Sequence, residues 1–182
     1  FFYGQSLSYT LRKCTALKNG AKILLHKVVK PELFGVAKIN KKTKKIKEIK
    51  EKPKKFISND AITGLYFFDS NVVKFAKTLK PSKRNELEII DLLNKYKRKK
   101  KLTAEYLGRG GAWLDTGSIS DYYKTSNFVQ AVQNRQGVKI ACLEEIAFLN
   151  KWIGKSHLKN QIKFYGNCDY SNYLKSIIKK SV

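Results

Sequence analysis

Four places in the sequence set charged or glycine residues between apolar flanks. Glu51-Lys52-Pro53 puts an acid beside a base at the end of an expected strand. Neighbouring strand residues point to opposite sides, so such a pair can hold a hydroxyl and a phosphate at once. A solvated charge pair is the other use of the same residues. In the run from Pro81 to Asp91, Arg84 precedes a helix whose first turn carries Glu86 and Glu88, as the helix dipole favours. An arginine at such a mouth can clamp a phosphate through two parallel hydrogen bonds, or can pair with one of those acids. In the run from Gly108 to Gly117, Asp115 stands between a tryptophan-bearing strand and a Thr-Gly turn that opens a helix. Magnesium takes one or two carboxylates plus substrate phosphates, so Asp115 is a candidate ligand. Capping the following helix competes for the same carboxylate. At Phe34-Gly35 the glycine lets a ligand approach the backbone closely, although alone it is only a turn.

The elements that must position these residues alternate between strands and helices. Leu7 to Leu17 reads as a helix stopped at Asn19-Gly20, and Lys22 to Val29 as a buried strand. After a turn from Pro31 to Gly35, two strands, Val36 to Ile39 and Lys45 to Glu51, flank a lysine-rich hairpin loop from Asn40 to Lys44. Ile46 and Ile49 among lysines suit a half-exposed edge. Ala61 to Phe68 is β-branched and aromatic throughout, hence a strand. Asp69 or Ser70 then caps a helix through Leu79, and Pro81 breaks it. Glu86 to Lys99 reads as an amphipathic helix burying Leu87, Ile90, Leu93 and Leu92 or Tyr96. Leu102 to Leu107 is a strand, and Ser118 starts a long helix to Arg135. From Gly137 onward only short helices follow: Glu144 to Trp152, His157 to Tyr165 and Tyr170 to Lys180. The reading is a mixed α/β body over residues 1–136 and a helical extension over 137–182, without repeats or linkers.

Composition narrows the classes. The 182 residues can bury a real core, and 12% aromatics argue against disorder. No apolar run approaches the ~18 residues that span a bilayer. The opening residues lack the basic and apolar stretches of a signal peptide, and the chain holds no methionine, so a start upstream of Phe1 is expected. Lys and Arg outnumber Asp and Glu by 38 to 14, which raises the prospect of nucleic acid. Only 5 of those 38 cations are arginine, however, the fork that reads bases and phosphates. A lysine-rich nucleic-acid-binding module is therefore the second reading, disfavoured because the aromatics sit in strands that alternate into the core. Cys14, Cys142 and Cys168 form an odd set without CxxC spacing, as expected of reduced cytoplasmic thiols. His26 and His157 stand apart from any second ligand and read as structural.

In order, these strings resemble one family. Phe34-Gly35-Val36, Glu51-Lys52-Pro53, ITGLYFFD, KPS-x-R-x-ELEI-x-D, GRG-x-AWLDTG, NRQG-x-K and C-x-EEIAF are similar to glucose-1-phosphate thymidylyltransferases, among the sugar-nucleotide pyrophosphorylases. The likeness runs from Phe2 to about Phe148, and GRGGAWLDTG and CLEEIAF are its specific parts. It implies the C-terminal part of a three-layer, Rossmann-like nucleotidyltransferase domain with a mixed sheet, followed by α-helices. It also implies transfer of a thymidylyl group from dTTP to α-D-glucose 1-phosphate with Mg²⁺, releasing pyrophosphate and dTDP-glucose for deoxysugar synthesis. The expected setting is a cytoplasmic homotetramer without membrane or specific nucleic-acid partners. By the resemblance, Gly35, Glu51, Lys52 and Ile62 line the sugar-phosphate pocket, Arg84 holds the phosphate, and Asp115 is one of two metal-binding aspartates. Arg109 with Glu144, Glu145 and Ile146 resembles a regulatory nucleotide site. The family's GGxGTRL triphosphate loop, a catalytic lysine, the base-reading residues and the first metal aspartate are expected upstream of Phe1. A chain without them is expected to be inactive alone. The base-reading loop would also separate this activity from its alternative within the family, a uridylyltransferase or other pyrophosphorylase. Phe34 stands where Tyr is usual, and Asn85 and Gly111 where Gly and Tyr are usual.

Overall fold

The structure is a computed structural model that describes residues 1–40, 42–82 and 84–180. Lys41 of the expected hairpin loop and Lys83 of the Arg84 run lie outside the described residues. The chain divides into two compact units, Phe1–Leu114 and Asp115–Val182. The division at 136/137 drawn from sequence lies within the second unit.

The first unit is built on a mixed sheet. Its strands are β2 (Ala21–Lys27), β3 (Val36–Ile39), β4 (Ile46–Lys50), β5 (Asp60–Phe68) and β6 (Leu102–Tyr106), in the order β4-β3-β5-β2-β6. β5 runs antiparallel to β2, with Ile62 opposite Leu25, whereas β6 runs parallel to β2. A separate short ribbon pairs β1 (Phe2–Tyr3) with β7 (Ala112–Trp113). Alternation along β2 separates two helical layers. Ile23 and Leu25 pack with Ile90, Leu93 and Tyr96 of α3 (Ile89–Arg98). On the other side, Lys22 donates to the Lys13 carbonyl of α1 (Leu7–Thr15) at 2.9 Å, and Lys13 pairs with Glu105 of β6 at 3.5 Å. The three-layer reading holds. β4 is the sheet edge, as expected, yet Ile46 and Ile49 are both buried despite their odd spacing. Ile39 faces Ile46 while Lys38 faces Glu48, so β4 carries one extra residue that resets which face its side chains meet.

Two elements differ from expectation. Asp69 does not cap a helix reaching Leu79; the helix there, α2, is only Val72–Ala76. Instead the Asp69 carboxylate accepts Gly20 N–H (2.7 Å), Asn71 N–H (3.0 Å) and the hydroxyl of fully buried Tyr96 (2.8 Å). Burial works against ionisation of Asp69, but these donors outweigh it and hold its pKa below the usual carboxylate value. Gly20 itself has φ +95°, and a Cβ there would stand 2.3 Å from the Lys101 carbonyl oxygen, so only glycine lets this strap close. The second difference is α3, which starts at Ile89 rather than Glu86 and leaves Leu87 63% exposed. Ser82 N–H bonds to the Glu86 carbonyl (2.8 Å) and Asn85 N–H to Ser82 (2.9 Å), closing a turn with Asn85 at φ 59°. Glu88 is extended, at φ −87° and ψ 129°, so the helix starts after it.

The second unit consists of α4 (Ile119–Gln136), α5 (Leu143–Leu149), α6 (Lys155–Tyr165) and α7 (Asp169–Lys180). Ser118 caps α4 by accepting Asp121 N–H at 3.1 Å, and Gly137 ends it with φ 65°. Cys142, Leu158, Leu174 and Ile177 form its core. Each large aliphatic residue there contributes roughly 1.5–3 kcal/mol by leaving water.

Candidate functional site

Phe34, Gly35, Glu51, Lys52 and Ile62 are stitched together by the backbone. Lys52 N–H bonds to the Phe34 carbonyl at 3.0 Å, and Ile62 N–H to the Gly35 carbonyl at 2.7 Å. A Cβ on Gly35 would stand 2.8 Å from Glu51 Oε2 and 3.3 Å from Ile90 Cδ1. The missing side chain is therefore what lets the Glu51 carboxylate lie over the β3 entry. Phe34 packs on Trp113 with ring centroids 5.0 Å apart, and His26 meets the same indole edge-on at 6.2 Å. Trp113 and His26 thus join the Gly35 region through Phe34, which sequence reading did not reveal.

Glu51 and Lys52 do not follow strand alternation. β4 ends at Lys50, and Lys52 has φ 37°, so a left-handed turn rather than the pleat sets how the pair projects. Buried Pro53 anchors that turn.

Arg84 makes the pairing that the sequence left open. Its Nε and Nη2 donate to Glu88 Oε1 at 3.0 and 2.8 Å, and Nη2 reaches Oε2 at 2.9 Å. Ser82 donates to the same Oε1 at 2.9 Å, and Glu86 lies 3.3 Å from Nη2. The bonds to Glu88 first, then the charges of Glu88, Glu86 and more distant Glu51, raise the Arg84 pKa. In turn the bonds from Arg84 and Ser82, with help from the charge of Lys52, lower that of Glu88. Burial, then the Glu51 charge, raises the Tyr66 phenol. The charge of Glu51 thus reaches Arg84 and that of Lys52 reaches Glu88, while Gly35 and Ile62 are tied to the Glu51–Lys52 turn through the backbone. Glu88, visible in sequence only as a first-turn acid, is the residue that orients Arg84.

Asp115, in the second unit, has an exposed carboxylate whose Oδ1 accepts Thr116 N–H at 2.9 Å. The capping role that competed for it belongs to Ser118. Among the described residues no three His, Cys, Asp or Glu side chains gather as a ready metal site. Asp115 offers one exposed carboxylate oxygen of the hard kind that magnesium takes.

The residues compared with a regulatory nucleotide site fall in both units. Arg109 is exposed in the turn closed by Gly111 N–H on the Gly108 carbonyl (2.8 Å). Within the second unit, Glu145 accepts the Tyr173 hydroxyl at 2.6 Å, and Glu144 accepts those of Tyr165 (2.7 Å) and Tyr170. Burial alone would raise the pKa of Glu144; the two phenols reverse that and lower it. Ile146 is 41% exposed. Both carboxylates thus fasten α5 to the following helices.

A five-stranded mixed sheet between helical layers, with a glycine and an acid–base pair held together at the start of β3 and an arginine oriented by Glu88 within reach of the Glu51 charge, is the arrangement the first unit presents. The Nucleotidyl transferase family pattern matches residues 1–132, and the chain belongs to that family. It is 44% identical over 179 residues to the glucose-1-phosphate thymidylyltransferase of Neisseria meningitidis serogroup A, spanning 98% of this chain and 62% of that protein. Among solved structures, it is similar to a Bacillus anthracis protein ascribed the same activity and crystallised with sucrose. That likeness has a TM-score of 0.60 and 41% identity, over 70% of this chain and 50% of the other. A UDP-glucose pyrophosphorylase bound to UDP-glucose matches with a TM-score of 0.53 and 26% identity, over 59% of this chain and 43% of its own. The chain thus spans less than two thirds of the relatives it resembles.

Proposed function

We propose that this chain carries the sugar-phosphate half of a thymidylyltransferase that makes dTDP-glucose and pyrophosphate from dTTP and α-D-glucose 1-phosphate. One observation carries the reading. Gly35, Glu51, Lys52 and Ile62 are held together by backbone bonds, with the Glu51 charge reaching Arg84, in a chain 44% identical to an enzyme named for that reaction. In the reaction a phosphate oxygen of the sugar phosphate attacks the α-phosphorus of the nucleotide, and the α–β bridging bond breaks to release pyrophosphate. Such an in-line displacement depends on positioning and charge neutralisation, so no side-chain nucleophile is needed. Glu51 accepts hydrogen bonds from sugar hydroxyls where the bare Gly35 backbone lets the ring come close. Lys52 and Arg84 hold the sugar phosphate, with Glu88 fixing the guanidinium. Asp115 would hold magnesium, which neutralises charge on the reacting phosphates when bound. The same proposal extends to Arg109, Glu145 and Ile146 as regulatory-nucleotide contacts, to a division of roles between residues 1–136 and 137–182, and to a cytoplasmic homo-oligomer without specific nucleic acid. No helix among the described residues is long and apolar enough to cross a membrane. Uridylyl transfer has the weaker support, since that likeness is 26% against 44%.

The test is to assay pyrophosphate release by residues 1–182 alone, and by a chimera in which the Neisseria relative supplies the part this chain does not cover. The expected result is dTTP-dependent activity with glucose 1-phosphate in the chimera and none in the chain alone. A folded chimera that is inactive, or that prefers UTP, overturns the reading.

A further inference from the structure

Sharing no residue with the Gly35–Arg84 cluster, a cleft of about 430 Å³ opens in the first unit. Lys27, Lys38, Ile39, Lys44, Phe56 and Tyr106 line it, together with the segment 57–60. That volume lies in the range of small-molecule sites. The floor is built rather than incidental. Asp60, 9% exposed, accepts the Tyr106 hydroxyl at 3.0 Å and the Lys27 ammonium at 3.1 Å. The same ammonium lies 6.0 Å from the centre of the Tyr106 ring. With Asp60 so engaged, Lys38 and Lys44 are exposed ammonium groups without an ion pair among the described residues, although Glu48 faces Lys38 across the hairpin. Phe56 stands at the mouth, 73% exposed, directly after Lys54 and Lys55. Phe56 is one of several exposed aromatic rings, and the one that borders this lysine-lined cleft.

We infer that this cleft binds a mononucleotide. Lys38 and Lys44 supply point charges for a phosphate. The faces of Phe56 and Tyr106 with Ile39 and Ile57 suit a planar base, because stacking accepts any π-face. Asn59 donates its amide hydrogen to the Val28 carbonyl at 2.8 Å, which leaves its Oδ1 to accept from an exocyclic amine. A cleft of this size and two free lysines match one nucleotide rather than a strand, whose binding would recruit the many lysines outside it. The inference is independent of the thymidylyltransferase reading.

Equilibrium dialysis of the 182-residue chain against AMP tests it, with differential lysine acetylation read by mass spectrometry. The expected result is one saturable site, a Kd below about 1 mM, and protection of Lys38 and Lys44 but not of Lys97 to Lys101. Adenosine and inorganic phosphate, the two halves, should each bind at least about tenfold more weakly. Lys38→Ala with Lys44→Ala, and separately Phe56→Ser, should each weaken AMP about tenfold while leaving the melting temperature unchanged, since all three side chains are exposed. Arg84→Ala should leave AMP affinity as it was. Protection spread evenly over all lysines, phosphate binding as tightly as AMP, affinity that depends on Arg84, or a short single-stranded oligonucleotide held far more tightly than AMP through Phe56 would each overturn the proposal.

Discussion

Removing the Glu88 carboxylate is the sharpest test of the phosphate clamp proposed for Arg84. Glu88 holds the guanidinium through three contacts of 2.8–3.0 Å, and Ser82 buttresses the same oxygen at 2.9 Å. In Glu88→Gln one amide oxygen replaces the two carboxylate oxygens, and the amide nitrogen faces donors. Arg84 then loses the fork-to-fork geometry that selects one rotamer. Misplacing a positioning group by about an ångström costs roughly 10²-fold, and removing an outer partner roughly 10–100-fold, so a fall of that order in kcat/KM is expected. The loss should appear mainly as a raised KM for glucose 1-phosphate, with KM for dTTP unchanged, measured in the chimera by coupled pyrophosphate release. Stability should hardly move, because exposed ion pairs contribute little. The pH profile supplies an independent sign. The folded-state pKa of Glu88 is lowered by its bonds to Arg84 and Ser82, so the clamp persists above the ordinary carboxylate value and fails only as pH falls through the lowered one. The wild type should show that acidic rise in KM, and Glu88→Gln should not. Unchanged KM in the variant, or a loss matched by a falling melting temperature, would refute Glu88 as the orienting residue.

Gly35→Ala should leave the fold intact, since the nearest atom to the new Cβ is the flexible end of Glu51, but should push that carboxylate aside; about a tenfold rise in the sugar-phosphate KM is expected by steady-state assay. Asp115→Asn should lower turnover on the order of 10²-fold in the chimera without altering the melting curve, whereas Ser118→Ala should cost about 1 kcal/mol of stability and leave turnover alone. In the isolated chain, alkaline unfolding should set in between pH 10 and 12. Burial first, then their carboxylate partners Asp60 and Glu145, push the Tyr106 and Tyr173 phenols to about 12. Their neutral forms stabilise the fold fully below the ordinary phenol value of 10.0, and that contribution is lost as pH rises towards 12. Circular dichroism of Tyr106→Phe and Tyr173→Phe should show a shallower loss over that interval.

The strand at Ala61 to Phe68, the edge character of Ile46 and Ile49, the cap at Ser118 and the absence of strands among the described residues after Gly137 were all legible in sequence. Each depends on nearest-neighbour chemistry: β-branching, alternation, or a hydroxyl three residues before an amide. The candidate site residues stand out by type, because nucleotide and sugar-phosphate chemistry needs a carboxylate, cations and a bare backbone in a recognisable order. What the sequence could not give is which partner each residue meets. Asp69 was expected to cap a helix and instead ties Gly20 to Tyr96, 76 positions apart in the chain. Glu51 and Lys52 were expected to alternate as strand residues, yet the turn at Lys52 redirects them. Leu87 has the right period to be buried and is exposed, because the turn closed between Ser82 and Glu86 takes the place of the first turn of its helix. Whether Arg84 takes an acid or awaits a phosphate was open until the chain brought Glu88 back under it. The Asp69 strap is made by contacts that exist only once distant segments have closed on one another, so it belongs to the tertiary structure alone. The turns at Lys52 and Ser82 and the i,i+4 pair of Arg84 with Glu88 are local, but residue types leave several such local arrangements open and the folded chain selects one.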